Sequence, residues 1–298
     1  MIKQPAYLKK GDKVAIVCPA KKLKKDIGPS ISVLEDWGLK VVVGKSVHAE
    51  YHQFAGDDQL RTEDFQAALD DTGIKAIIAA RGGYGTVRII DELDFSIYNQ
   101  HPKWIIGFSD ITVLLSHSTT LNTQSIHGQM PGVFEGASME SLETLRKALF
   151  GEALDYTYQS DHLQRPGEAE GILIGGNLSI LISLEGSVSQ MDYQDKILFL
   201  EDVGEHEYAI DRMFRTLKRC GKLAGLKGLV IGAFNGIQPE DIPFGQSPEQ
   251  IIMEIVREYD YPVCFGFPVG HIQDNRALVL GKTAKLVVEK NTVTLNYL

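Results

Sequence analysis

From residue 13 to residue 121 the chain alternates short apolar runs with segments of helical period, and no other feature restricts its fold as strongly. Residues 13–17 predict a buried strand, closed by Pro19. Residues 27–37 predict a helix with Pro29 near its start and Gly38 after its end, the positions these residues take at helix termini. Residues 39–43 predict the next strand. Residues 57–71 predict a helix whose Leu60, Phe65, Ala68 and Leu69 share one apolar face. Two more strands, 75–80 and 104–108, are each followed by a helix, 87–93 and 111–121. Such alternation predicts a parallel sheet with helices on both faces. Ligands of these sheets lie beyond the carboxyl ends of the strands, so the turns there are where chemistry is expected.

A helix at 141–150 closes this half, giving an N-terminal α/β domain over residues 1–150. Residues 151–168 are polar and without period, and predict a connection. From 169 to 298 the pattern changes. Strands are expected at 171–174, 196–200, 228–234, 284–288 and 291–296, with helices only at 210–220 and 248–259. This half predicts a smaller, β-rich C-terminal domain.

The formal net charge of -9 disfavours binding to a phosphate backbone, so no nucleic-acid partner is expected. The basic run Lys21-Lys22-Leu23-Lys24-Lys25 reads as a solvated loop. Cys18, Cys220 and Cys264 stand far apart without metal-ligand or disulfide spacing, which suits a reducing compartment. Residues 1–10 lack the apolar core of a signal peptide, and the longest apolar stretch, 171–184, is too short to span a bilayer. The expectation is a soluble cytoplasmic protein with no membrane partner and no metal or organic cofactor.

Two strand-to-helix corners carry candidate chemistry. In Gly107-Phe108-Ser109-Asp110-Ile111 a serine stands between a buried strand and a helix, where a tight turn presents its hydroxyl above the sheet. Ile111 replaces the second glycine of a strict nucleophile-elbow pattern, and on this segment alone a helix-capping serine is the better reading. The second corner, Arg81-Gly82-Gly83-Tyr84-Gly85, follows the strand 75–80. It lacks the lysine and hydroxyl residue of a phosphate-binding loop. Its Gly83 N–H, with that of Asp110, would instead form an oxyanion hole. Arg81 suits either a substrate carboxylate or a backbone carbonyl.

A serine needs a base, and histidine fits near neutral pH. His48, His52, His101, His162 and His206 stand in polar surroundings and read as surface residues. His117 lies two helical turns beyond Ser109, out of reach. His127 follows a short strand and either lines the site or satisfies a buried carbonyl. His271 ends the apolar run 263–269 and is the best base, with a simple loop histidine as the alternative. Glu201, at the end of the strand Leu198-Phe199-Leu200, is preferred as the acid that orients it; Asp202 is assigned to cap a turn. Cys18 reads as a buried apolar residue and not as a nucleophile.

These segments resemble the LD-carboxypeptidases, also called muramoyltetrapeptide carboxypeptidases, whose relatives include the microcin-immunity peptidases. The resemblance rests on Arg81-Gly82-Gly83-Tyr84-Gly85, Pro102-Lys103, Gly107 to Thr112, His127-Gly128, Leu198 to Asp202 with Tyr208, Asp211 and Arg212, and Pro268-Val269-Gly270-His271. It covers nearly the whole chain, from about Gly11 to Val288. It implies Ser109 as nucleophile, His271 as general base, Glu201 as orienter, and Gly83 and Asp110 as backbone oxyanion donors. It further implies a flavodoxin-like N-terminal domain, a β-rich C-terminal domain carrying Glu201 and His271, and a homodimer as a common arrangement. The implied reaction is removal of the terminal D-alanine from a murein tetrapeptide during cell-wall recycling, through an acyl-enzyme. Gln129 departs from the proline usual after His127-Gly128. Two other readings stand beside this one: a relative that cleaves a peptide–nucleotide toxin, and a non-catalytic two-lobed ligand-binding protein.

Overall fold

A computed structural model describes residues 2–239 and 241–298 and divides them into two compact units. The first is Met1–Ala153 with Gln273–Gly281; the second is Leu154–Ile272 with Lys282–Leu298.

The first unit begins β1 (Lys13–Val17), α1 (Gly28–Asp36), β2 (Lys40–Val43), α2 (Asp58–Asp70) and β3 (Ile74–Ala79). It continues with α3 (Ser96–Gln100), β4 (Trp104–Gly107), α4 (Thr112–Thr120), β5 (Ser125–His127) and α5 (Met139–Phe150). β1 to β5 are all parallel, in the spatial order β2-β1-β3-β4-β5. This is the flavodoxin-like order, which follows when right-handed crossovers cover both faces. The inner strands are buried along most of their length, while β2 at the edge is largely exposed. Helix starts follow from local chemistry: Asp57 caps α2 by accepting from Leu60 N–H, and Ser138 caps α5 by accepting from Ser141 N–H.

The expected helix at 87–93 is instead two 3₁₀ turns, Thr86–Arg88 and Ile90–Glu92. Crowded β-branched residues and an N-cap without a side-chain bond leave that stretch too weak for a full helix. On α2 the buried face holds Arg61 with Phe65, Ala68 and Leu69, while Leu60 is only half-buried.

The second unit starts earlier than the polarity of residues 151–168 suggests. That stretch contains β6 (Asp155–Gln159) and the first two residues of β7 (Gly167–Asn177). A polar strand at a sheet edge lacks the apolar run that reveals a buried one. There follow α6 (Leu178–Ser183), a helix not foreseen, then β8 (Lys196–Val203), α7 (Glu207–Arg219), β9 (Gly228–Asn235), α8 (Pro248–Ile255) and β10 (Val263–Cys264). The chain then returns to the first unit, where β11 (Leu278–Leu280) pairs antiparallel with β5. It ends in the second unit with β12 (Thr283–Val288) and β13 (Thr292–Tyr297). The C-terminal half is therefore not one continuous body from residue 169 onward.

The second sheet runs β10-β9-β8-β7-β12-β13-β6. β7 to β10 are parallel, and β12, β13 and β6 are added antiparallel. Its core gathers Leu198, Leu200, Leu229 and Ile231 from the strands with Ile210, Phe214, Ile252 and Ile255 from α7 and α8. Among the described residues no helix is long and apolar enough to cross a membrane.

Candidate active site

Ser109 stands at the carboxyl end of β4 with φ +63, in the left-handed region that a non-glycine residue seldom occupies. The cause lies on both sides of it. Gly107 has φ +159, and a Cβ there would stand 2.8 Å from Ile111 Cγ2, so strand and helix approach too closely for any side chain. Beyond the serine, Thr112 N–H bonds back to the Asp110 and Ser109 carbonyls and starts α4 at once. Strain of this kind, about 1–3 kcal/mol, persists only where neighbours hold it, and it gathers at functional sites. Ser109 itself is partly exposed, whereas Phe108 and Asp110 are buried.

The glycine corner after β3 meets this serine directly. A Cβ on Gly82 would lie 3.1 Å from Ser109 Cβ and 3.3 Å from its Oγ. The Asp110 carboxylate joins the two corners, accepting from Thr86 N–H at 2.9 Å and Thr86 Oγ–H at 2.7 Å. Burial pushes the Asp110 carboxyl up; the bonds from Thr86 and Gly85 and the Arg61 charge oppose that shift. Arg61 braces the same corner. Its guanidinium, wholly buried, donates to the Pro19 and Gly85 carbonyls and pairs with Asp58. The Gly83 and Asp110 N–H groups take no acceptor among the described residues.

Arg81 donates to the Lys22 carbonyl at 2.8 Å, the backbone-pinning alternative of the two expected for it. Lys103 is structural: its ammonium donates to the Ala68 and Asp71 carbonyls at the end of α2, and burial lowers its pKa to about 8. His127 is buried, 3.1 Å from Asn275 Oδ1 and against the Phe108 ring. Gln129 donates to the Gln273 carbonyl at 3.2 Å. Cys18 is buried with its thiol donating to the Lys21 carbonyl, and burial pushes it up to about 12. His48, His52, His101 and His162 are exposed; His206 is half-buried and stacks on Tyr208.

In the second unit, Glu201 and His271 form a pair. His271 Nδ1 lies 2.7 Å from Glu201 Oε2; the carboxylate is fully buried and the imidazole is 21% exposed. Burial lowers the imidazole pKa, but the hydrogen bond it donates to Glu201 and the charges of Glu201 and Asp202 outweigh that, and the net shift is upward. Glu201 sits on β8 where the register with β9 shifts between Leu200 and Asp202. His271 is not on a strand: β10 ends at Cys264. The chain nevertheless stays beside β9, with Phe267 N–H bonded to the Ile231 carbonyl and Ala233 N–H to the Val269 carbonyl. Asn235 Nδ2 then donates to the His271 carbonyl at 2.8 Å. Asp202 accepts from Asn177 Nδ2, Ser179 N–H and Val203 N–H, tying the start of α6 to β8; burial raises its carboxyl pKa to about 6.

Residues that sequence reasoning passed over are Arg61, Thr86 and Asn235. Arg61 left one trace, a cation placed four residues before Phe65 on what becomes the buried face. Thr86 and Asn235 left none, because they act through hydrogen bonds that only the fold sets up.

Two domain families match the chain: the LD-carboxypeptidase N-terminal domain over residues 14–128 and the LD-carboxypeptidase C-terminal domain over residues 170–286. A probable murein peptide carboxypeptidase of Bacillus subtilis is 36% identical, covering 97% of this chain and 93% of its own. The crystal structure of muramoyltetrapeptide carboxypeptidase from Oxalobacter formigenes superposes with TM-score 0.86 at 28% identity, over 96% of this chain and 98% of that one. The microcin C7 self-immunity protein MccF, in complex with aspartyl sulfamoyl adenosine, superposes with TM-score 0.87 at 22% identity over 99% and 98% of the two chains, and so shares the fold. On these matches the chain belongs to the LD-carboxypeptidase family and is a serine carboxypeptidase.

Proposed function

We propose that Ser109, His271 and Glu201 are the nucleophile, general base and orienting acid of one catalytic triad. The substrate we assign is a murein tetrapeptide, from which the terminal D-alanine is released in cell-wall recycling. The observation that carries this reading is the backbone of Ser109. A serine held at φ +63 between β4 and α4, with Gly82 pressed against its side chain, serves chemistry better than it serves folding.

Ser109 Oγ attacks the scissile carbonyl carbon while His271 Nε2 takes the hydroxyl proton. The buried Glu201 carboxylate fixes the tautomer by accepting Nδ1–H and stabilises the imidazolium. The oxyanion is held by the Gly83 and Asp110 N–H groups, each worth about 3 kcal/mol in the transition state. Collapse breaks the C–N bond, and His271 returns the proton to the departing amine. Water, deprotonated by His271, then hydrolyses the acyl ester and restores Ser109. The peptide substrate follows the relatives, which are named for murein peptides; the cytoplasm, where recycled wall peptides are met, is the compartment we assign.

The test offers murein tetrapeptide to the wild type and to Ser109→Ala and weighs the products. The wild type is expected to give a tripeptide and free alanine, and Ser109→Ala to retain binding with turnover lost. Equal turnover by both proteins would reject Ser109 as nucleophile. Cleavage of an aminoacyl sulfamoyl nucleotide in place of the tetrapeptide would move the assignment to toxin immunity. Binding without any cleavage would favour a ligand-capturing protein.

A further inference from the structure

We propose that Lys21 recognises the free C-terminal carboxylate of the peptide, and so makes this site a carboxypeptidase instead of an endopeptidase. The inference rests on Ser109 as the nucleophile. Lys21 belongs to the basic run after β1, which the triad leaves without a role. Its stem runs along the proposed oxyanion corner: a Cβ built on Gly83 would meet Lys21 Cδ at 2.6 Å, Cγ at 2.8 Å and Cβ at 3.1 Å. Gly83, at φ +114, has no side chain to hold the lysine off, and its neighbour Gly82 lies against Ser109 Oγ. The lysine backbone is anchored as well, bridged to Phe54 and accepting the Cys18 thiol at 3.1 Å.

The cations near this corner differ in what they already bind. Lys22 pairs with Glu50 at 2.6 Å and Lys25 with Glu135 at 3.3 Å. Arg81 is taken by the Lys22 carbonyl, and Arg61 and Arg88 by Asp58. Among the described residues neither the Lys21 nor the Lys24 ammonium has an ion pair or a hydrogen bond, but Lys24 is exposed, and it is the Lys21 stem that packs on Gly83. A half-buried stem that ends in an unpaired ammonium is a preformed point charge, since packing has already restricted its rotamers. In a chain of net charge -9, a local basic run also offsets the repulsion that an anionic peptide end would meet. The complement of one ammonium beside an oxyanion corner is a carboxylate one residue beyond the scissile bond, which is the end of a substrate losing a single amino acid.

The experiment compares tetrapeptide bearing a free C-terminus with its C-terminal amide, using the wild type, Lys21→Met and Lys21→Arg, with Ser109→Ala as control. Methionine keeps an apolar stem against Gly83 and removes the charge. Lys21→Met is expected to raise KM for the free acid by about 10- to 100-fold, the loss of one charge-assisted hydrogen bond, with kcat changed little. The amide should be handled alike by wild type and Lys21→Met, and Lys21→Arg should recover most of the acid preference. An unchanged preference for the acid in Lys21→Met overturns the inference while Ser109 stands. Undiminished turnover by Ser109→Ala overturns both, because the corner would then serve no reaction.

Discussion

The Asp110 carboxylate accepts both the backbone N–H and the hydroxyl of Thr86, at 2.9 and 2.7 Å, and so fastens the glycine corner after β3 to the serine corner after β4. Each corner supplies one proposed oxyanion donor, so this side chain sets the distance between them.

Replacing Asp110 by alanine should therefore damage the transition state more than substrate binding. Loss of one aligned oxyanion donor is worth about 10²- to 10³-fold in kcat, and that is the expected fall, with KM changed far less. Thr86→Val keeps the N–H and removes only the hydroxyl donor. It should lower stability by about 1.5–3 kcal/mol, the worth of a hydrogen bond to a charged group, and leave more activity than Asp110→Ala. Steady-state kinetics and urea titration measure the two effects separately. Equal kcat in wild type and Asp110→Ala would show that the corners hold their spacing without the carboxylate.

The pH profile tests the Glu201–His271 pair. The base must be neutral, and its pKa is raised, so the acid limb of kcat/KM should lie above the ordinary histidine value of about 6.5. In Glu201→Gln the hydrogen bond to a charged acceptor is lost while burial remains, so the limb should move downward. The rate should fall by as much as about 10⁴-fold when the tautomer is no longer fixed. The linkage to stability has the opposite sense from a carboxylate's. A raised histidine pKa contributes stability that is complete below about 6.5 and disappears as pH climbs through the folded value. Denaturant midpoints measured across that range should fall with rising pH in wild type and stay flatter in His271→Ala.

Much of this was legible in the sequence, for identifiable reasons. Buried parallel strands such as Ile105-Ile106 announce themselves as apolar runs, and the corners Gly82-Gly83 and Gly107-Phe108-Ser109 need glycines that are plain to see. Glu201 stood out as a carboxylate closing an apolar strand. What stayed hidden was set by pairing across long separations. β6 is polar at a sheet edge, β11 has only three residues and leaves the second unit to pair with β5, and the segment carrying His271 leans on β9 without being a strand. Arg61 was hidden because a cation on a buried helical face contradicts the apolar pattern unless carbonyls await it, and here those of Pro19 and Gly85 do.

Thiol chemistry gives a further check. Burial pushes Cys18 and Cys264 up to about 12, so neither provides a thiolate near neutral pH, whereas Cys220 is exposed. Iodoacetamide should label Cys220 alone in the native protein and leave peptide hydrolysis unchanged, as read by intact mass and activity in the same sample. Inactivation that tracks labelling of Cys18 would place a thiol, not Ser109, at the reaction.

Gly270 links the backbone of the histidine segment to its acid. It adopts φ +114, and a Cβ there would stand 2.9 Å from both Glu201 Cβ and Glu201 Oε2, the oxygen that His271 faces. Gly270→Ala therefore meets two penalties at once, a backbone region closed to alanine and a clash with the carboxylate. Glu201 is fully buried and cannot retreat into solvent, so the strain must be relieved by moving residue 270, and His271 with it. The expected outcome is a stability loss of about 1–3 kcal/mol and a kcat loss well beyond what that destabilisation explains at temperatures where the variant stays folded. The acid limb of the pH profile should also fall toward the value of Glu201→Gln, because the same hydrogen bond is lengthened. A Gly270→Ala protein with wild-type kcat and an unmoved acid limb would mean that the close approach of residue 270 to Glu201 is incidental to the pair.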